Sequence, residues 1–134
     1  TVHSGEGILR FRKGGIWTDP YGTTWSFSGN PQVLDLQIDP IKKQIRYRKY
    51  PDAFRQILGA AGAQRSPCLL VTARNGYEFR HGTSPNHPGG GSHGSLKRRE
   101  MLVPLIVGGT SVKPKHRRIV DLKSWIQSLI TGHP

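Results

Sequence analysis

Three histidines are the residues best suited to do chemistry in this chain. His81, His87 and His93 flank or lie in a loop over residues 82–95 that is rich in glycine, proline and serine. Imidazole is the side chain that most often binds transition metals in proteins. A histidine held just before a helix and a buried strand would lie at the sheet edge where open α/β sheets bind ligands. His87 and His93 do not have a recognised zinc spacing, so composition alone favours loop histidines exposed to water.

Two other features of this region could also do chemistry. The backbone N–H groups of residues 89–91, three glycines in a row, could bind an anion. Neither a phosphate-binding Gly-Lys-Ser/Thr sequence nor a dinucleotide fingerprint accompanies them, so a connecting loop is the simpler interpretation. Cys68 lies in an apolar run, which predicts a buried packing residue and not a nucleophile.

Basic residues alternate with aromatic residues at residues 10–12 and 46–50. Such segments can bind single-stranded nucleic acid, with the phosphates on Arg and Lys and the bases stacked on Phe or Tyr. The same alternation is expected of any strand with one solvated basic face and one buried aromatic face. We favour the second interpretation and keep the first as an alternative.

Composition limits the class of protein. The chain has 134 residues, enough for one domain at most, and a formal net charge of +12, which favours anionic partners. No apolar run approaches the ~18 residues of a membrane span. The start shows no signal-peptide pattern, so we expect a cytoplasmic location. The single cysteine excludes an internal disulfide framework and a cysteine zinc cage.

The elements that must position these residues fall into two parts within a single domain or domain fragment. Residues 1–50 are predicted to be β-rich and antiparallel, and residues 51–134 to be α/β. The predicted elements are strands over 8–13, 33–38 and 44–47, a turn at 19–22, a helix from Asp52 to about 59–62, strands over 67–72 and 102–107, a short helical stretch near 95–101, and a last helix capped by Asp121 and closed by Gly132.

The predicted fold class follows from the later segments. Residues 67–72 and 102–107 are near-continuous apolar runs, which are typical of buried parallel strands. The second half therefore predicts a partly parallel sheet flanked by helices, and the first half predicts antiparallel strands.

One stretch resembles a known family. Residues 89–96, Gly-Gly-Gly-Ser-His-Gly-Ser-Leu, are followed at 101–109 by Met-Leu-Val-Pro-Leu-Ile-Val-Gly-Gly. This resembles the C-terminal segment of the alkaline phosphatase superfamily, especially its phosphodiesterase, nucleotide pyrophosphatase and phosphomutase branches. The resemblance covers roughly residues 52–134. It implies metal-dependent phosphoester hydrolysis, with His93 as a ligand to one of two catalytic metals, zinc or another divalent ion.

The resemblance departs from the family pattern at the second metal. There the family has a strand ending in Ser-Asp-His-Gly. In the corresponding segment of this chain, Arg74 and Asn75 stand at the positions of the Asp and the His. Arginine is always protonated and has no acceptor, so it cannot bind a metal. Arg74 could instead replace the metal as an electrostatic clamp. Arg74 and Asn75 are therefore our candidate substrate-binding residues for a phosphoester or nucleotide.

The family's nucleophile, its partner Asp and the remaining metal ligands lie upstream of the matched region. Two-metal phosphoryl transfer needs both ions, and one histidine cannot hold a catalytic zinc, which takes three protein ligands. We therefore expect no turnover from this chain alone. Either an N-terminal half or self-association completes the site, or the chain is a divergent relative. The alternatives are a basic, non-catalytic module that binds nucleic acid or another polyanion, and a purely structural or interaction domain.

Overall fold

The computed structural model describes residues 1–83 and 94–132, and it combines a mixed β-sheet with three α-helices. This confirms the α/β class. The elements are β1 (Val2–Ser4), β2 (Gly7–Thr18), β3 (Thr24–Gly29), β4 (Leu36–Asp39), β5 (Gln44–Tyr47), α1 (Ala53–Gly62), α2 (Arg98–Met101) and α3 (Ile119–Thr131), with a 3-10 turn at Pro31–Leu34 before β4. Two compact units divide the chain, one ending at Leu102 and the other starting at Val103.

The sheet is organised around β2, the longest strand. β1 and β3 pair antiparallel with β2 on opposite sides of Leu9, which faces Val2 on one side and Gly29 on the other. At its far end β2 pairs with β5 through Thr18 and Gln44, and this pair is parallel. β4 and β5 form an antiparallel pair. The sheet in this part of the chain is therefore antiparallel apart from one parallel contact.

A bulge allows β2 to serve these different partners. Lys13 and Trp17 both pair with Trp25, so β2 carries extra residues between them. Gly15 lies inside the bulge with a φ of 132°, and a Cβ there would come within 2.6 Å of the Trp25 carbonyl oxygen. Only glycine combines this backbone angle with so close an approach.

The core lies between the sheet and α1, and Phe54 is at its centre. Phe54 is fully buried, stacks on Phe11 at 4.1 Å between ring centroids and lies 5.1 Å from Trp25. Its edge also meets Tyr47, at 5.9 Å. Helical spacing within α1 and the alternation in β2 and β5 place these aromatic side chains on inward faces, as the sequence predicts.

Buried Asp19 organises the turn between β2 and β3. Its Oδ1 accepts from the backbone N–H groups of Tyr21 and Thr23, both at 2.9 Å. Its Oδ2 accepts from Trp25 Nε1 at 2.8 Å and from the Tyr47 hydroxyl at 3.3 Å. Burial, followed by the negative charges of Asp19 and Asp52, raises the pKa of Tyr47 far above its usual range. Tyr47 therefore stays protonated and acts as a donor.

The predicted buried strands at 67–72 and 102–107 are not strands in the structure, although both segments are described. Their side chains are largely exposed, with Leu69 at 88% and Ile106 at 91%. A buried parallel strand needs a hydrogen-bonded neighbour on each side. In the described residues every strand lies within Val2–Tyr47, and none of them pairs with either segment.

The second unit contains α3, which begins three residues earlier than the predicted Asp121 cap implies. The residue at the N-cap is Arg118, not Asp121. Asp121 lies in the first turn and accepts two hydrogen bonds from the Arg118 guanidinium, one of them at 2.8 Å. Gly132 ends the helix with a φ of 68°, as predicted. No helix in the described ranges is both long enough and apolar enough to cross a membrane.

Candidate functional site

His93, the predicted metal ligand, lies outside the described residues, as does His87. Gly94, directly after His93, and the rest of the motif belong to the described residues. The described part of the candidate site therefore consists of the segment that follows His93 and the turn that contains Arg74 and Asn75.

Arg74 and Asn75 lie in a tight turn. The Tyr77 backbone N–H donates to the Arg74 carbonyl oxygen at 3.0 Å, and Gly76 takes a φ of 83°, which favours glycine. The Arg74 guanidinium lies over the Tyr77 ring, 6.0 Å from its centroid. A cation over an aromatic face keeps its charge and its N–H donors, so this contact orients Arg74 without neutralising it.

Asn75 connects this turn to the motif that carries His93. The Lys97 ammonium donates a hydrogen bond to Asn75 Oδ1, across 22 positions of sequence. Lys97 follows His93 by four residues, and its own backbone N–H donates to Ser95 Oγ at 3.2 Å. The structure thus places the turn that contains Asn75 beside Lys97, the residue that follows the motif's described part, Gly94 to Leu96. Lys97 was not predicted as a site residue, although it opens a basic Lys-Arg-Arg run shortly after the His-Gly motif.

β5 and the residues after it fix the position of α2. The Arg98 backbone N–H donates to the Lys49 carbonyl oxygen at 2.8 Å, and its Nε donates to the Arg48 carbonyl oxygen at 3.0 Å. A longer bond, at 3.5 Å, joins Arg98 Nη2 to the Tyr47 carbonyl oxygen. Because Tyr47 is anchored to Asp19 in the core, the segment that carries Lys97 is tied to the folded sheet.

The described residues do not fit a second metal ion. Arg74 cannot bind a cation, and the Asn75 carbonyl oxygen already accepts from an ammonium group. Across residues 1–83 and 94–132, no group of three or more His, Cys, Asp or Glu side chains is arranged to hold a metal. At the two positions where the resemblance implies an Asp and a His, this chain has a cationic arginine and a neutral asparagine.

The structure also bears on the basic and aromatic segments. Phe11 and Tyr47 point into the core, whereas Arg10, Arg12 and Arg46 are exposed. This is the arrangement with one basic face and one buried aromatic face that the alternation favours. Phe11 and Tyr47 are therefore unavailable for stacking on bases.

One further prediction is wrong. Cys68 is exposed and is not a buried packing residue. Its segment is not incorporated into the described sheet, so the apolar run around it remains at the surface.

Comparisons with known proteins find no relative. No protein-family model matches the chain, no curated protein matches its sequence, and no solved structure matches its fold.

Proposed function

We propose that this chain is the C-terminal portion of a metal-dependent phosphoester hydrolase of the alkaline phosphatase type, in the phosphodiesterase or nucleotide pyrophosphatase branch. The contact between Asn75 and Lys97 carries the proposal. It joins the turn that replaces one metal motif to the segment that follows His93 by four residues. Two motifs that serve one catalytic centre must lie side by side, and a contact between the turn and the residue four positions after His93 supports such an arrangement.

The exposed apolar segments give further support. Residues 67–72 and 102–107 have the composition of buried parallel strands but no strand partner among the described residues. They flank the candidate site in sequence. Exposed apolar segments of this kind are typical of a surface that another polypeptide covers, and in the proposal that covering part supplies the nucleophile and the remaining metal ligands.

Catalysis by the chain alone tests the proposal first. The purified chain should not hydrolyse bis(p-nitrophenyl) phosphate with zinc, manganese or magnesium, because one histidine cannot complete a catalytic metal site. Metal-dependent turnover by the chain would contradict this. The sequence of the encoding gene provides a second test. A reading frame that extends upstream of Thr1 should carry a Ser or Thr nucleophile with a partner Asp, and one that encodes neither residue would contradict the proposal.

Substitution of His93 tests its role. In a protein that contains the complete catalytic set, His93→Ala should lower phosphodiesterase turnover by at least about a hundredfold and weaken zinc binding measured by calorimetry. His3→Ala is the matched control, because His3 is exposed on β1 and belongs to the β-rich half. Equal zinc affinity in both variants would remove His93 from the metal site.

The exposed basic face of the sheet favours one second candidate, a polyanion-binding module. Arg10 and Arg12 lie opposite Ser28 and Ser26 on the outward side of β2 and β3. Binding there would be to phosphates and not to bases, so affinity for single-stranded DNA should fall steeply with salt and show little dependence on sequence. The double variant Arg10→Gln and Arg12→Gln should reduce the salt slope by up to about two. An unchanged slope would dismiss this candidate.

A further inference from the structure

We propose that Arg74 and Lys97 form a phosphate-binding pair that needs no metal ion and takes the place of the second metal. The inference rests on the proposed function for its choice of ligand, a phosphate or phosphoester oxyanion. It goes beyond that function in stating that fixed side-chain cations, and not a second divalent ion, hold the negative charge. It also assigns a role to Lys97, which no motif singled out.

The first support is that both cations are held in place. Arg74 is oriented by the Tyr77 ring and by a turn closed through the Tyr77 backbone N–H. Lys97 is half-buried, and its ammonium is held by Asn75, the immediate neighbour of Arg74. Two cations ordered before a ligand arrives lose less side-chain entropy when they bind it, so their arrangement favours an anion.

The second support is that neither charge is neutralised. Within the ranges that the structure describes, no carboxylate lies within salt-bridge distance of Arg74 or Lys97. The carboxylate close to Lys97 in sequence, Glu100, accepts a hydrogen bond from the Ser95 backbone N–H at 3.1 Å. Asn75 presents a neutral acceptor to Lys97, so this contact places no negative charge beside the ammonium.

The third support is the chemistry of the donors. A guanidinium binds two phosphate oxygens with a planar fork, and an ammonium adds a compact charge with several N–H donors. With its carbonyl oxygen on Lys97, the Asn75 side chain also directs its amide N–H donors away from that lysine. Together these groups offer only donors and positive charge, which suits an oxyanion and excludes a metal cation.

Calorimetric titration of inorganic phosphate into the full chain with EDTA present tests the proposal. Wild type should bind phosphate at millimolar concentrations, and Arg74→Ala and Lys97→Ala should each weaken binding about tenfold, as expected for a charge-assisted hydrogen bond. The matched controls Arg80→Ala and Lys123→Ala remove the same charges from other exposed positions and should change affinity less than about twofold. Equal losses in all four variants, or no binding by wild type, would overturn the proposal.

Substitution of Asn75 distinguishes an effect of charge on phosphate binding from an effect of misfolding. Asn75→Asp is nearly isosteric but places a carboxylate on Lys97, so phosphate affinity should fall at least as far as in Lys97→Ala. Lys97→Arg retains the charge and should retain most of the affinity. All variants should keep the wild-type circular dichroism spectrum and melting temperature. Full phosphate affinity in Asn75→Asp would show that charge at this place does not bind the anion.

The inference and the proposed function can fail separately. Phosphate binding that persists in EDTA and in His93→Ala but is lost in Lys97→Ala supports the pair, whether or not the chain belongs to a hydrolase. Phosphate binding that requires zinc and is unchanged in Lys97→Ala overturns the pair and leaves the metal-dependent hydrolase in place.

Discussion

Asp19→Asn tests whether the buried carboxylate organises the first unit. Asp19 has two pairs of donors, the backbone N–H groups of Tyr21 and Thr23 on Oδ1 and the side chains of Trp25 and Tyr47 on Oδ2. Asparagine offers one acceptor oxygen and one NH₂ group in the same volume. Whichever way the amide is oriented, the NH₂ group faces two donors where the carboxylate accepted from both.

The expected loss in free energy of unfolding depends on which hydrogen-bond donors lose their acceptor. If the amide oxygen keeps the turn, the Trp25 indole N–H, 2.8 Å from Oδ2, has no acceptor left, whereas the Tyr47 hydroxyl can rotate. A buried donor left unsatisfied costs about 1–3 kcal/mol. The neutral amide regains part of the cost of burying a charge. We expect a net loss of about 2 kcal/mol, a large share of the ~5–15 kcal/mol that stabilises a typical domain.

Asp39→Asn is the matched control. Asp39 Oδ1 also accepts from two backbone N–H groups, those of Ile41 at 3.1 Å and Lys42 at 2.9 Å, but these bonds are exposed. Asparagine supplies the same acceptor there, so stability should change by less than about 0.5 kcal/mol. Urea unfolding at neutral pH, followed by tryptophan fluorescence, measures both variants. If Asp19→Asn unfolds at the same urea concentration as Asp39→Asn, the carboxylate is not an essential acceptor.

Three further predictions concern the same unit. The pKa of Tyr47 is raised in the folded chain, so its contribution to the free energy of unfolding should be constant below the unfolded tyrosine pKa of about 10. Above that pH the free energy of unfolding should fall by about 1.4 kcal/mol per pH unit. Alkaline unfolding of Tyr47→Phe should lack this slope, and a retained slope would assign it to another group. Gly15→Ala should be less stable than Gly14→Ala by more than about 1 kcal/mol and should therefore melt at a lower temperature. Both glycines have a positive φ, but of the two only Gly15 has backbone atoms within 3 Å of the added Cβ. Equal melting temperatures would refute the contact. Arg98→Ala should speed amide exchange of α2, whereas Arg99→Ala, on the same short helix and exposed, should not, and equal exchange would show that the side-chain bonds of Arg98 to β5 carry no weight.

Local physics explains which elements could be predicted. The strand over 44–47, the turn at 19–22 and the helix after Asp52 all occur where the sequence places them. Each depends on a short-range rule, namely alternation, a turn residue before glycine, or helical spacing of Phe54 and Ile57. Such rules act over a few residues, so the structure they predict does not depend on how distant parts of the chain are arranged.

The apolar runs at 67–72 and 102–107 show where such rules stop. Composition identifies them as strands suited to burial, but a strand is stabilised by the neighbours that pair with it. The described sheet is built from other strands, and its edges do not pair with these segments. The register of β2 with its three partners likewise depends on the bulge between Lys13 and Trp17, which alternation alone does not specify.

For the candidate site, the sequence by itself determined the residue types, which are a histidine in a glycine-rich motif and an Arg-Asn pair upstream of it. It also determined the basic surface, because charge is a property of composition. Only the tertiary structure decided that Asn75 meets Lys97 and that Asp19 meets Tyr47, 28 residues away. Contacts of this length depend on how strands and turns are arranged in space, and no local preference records that arrangement.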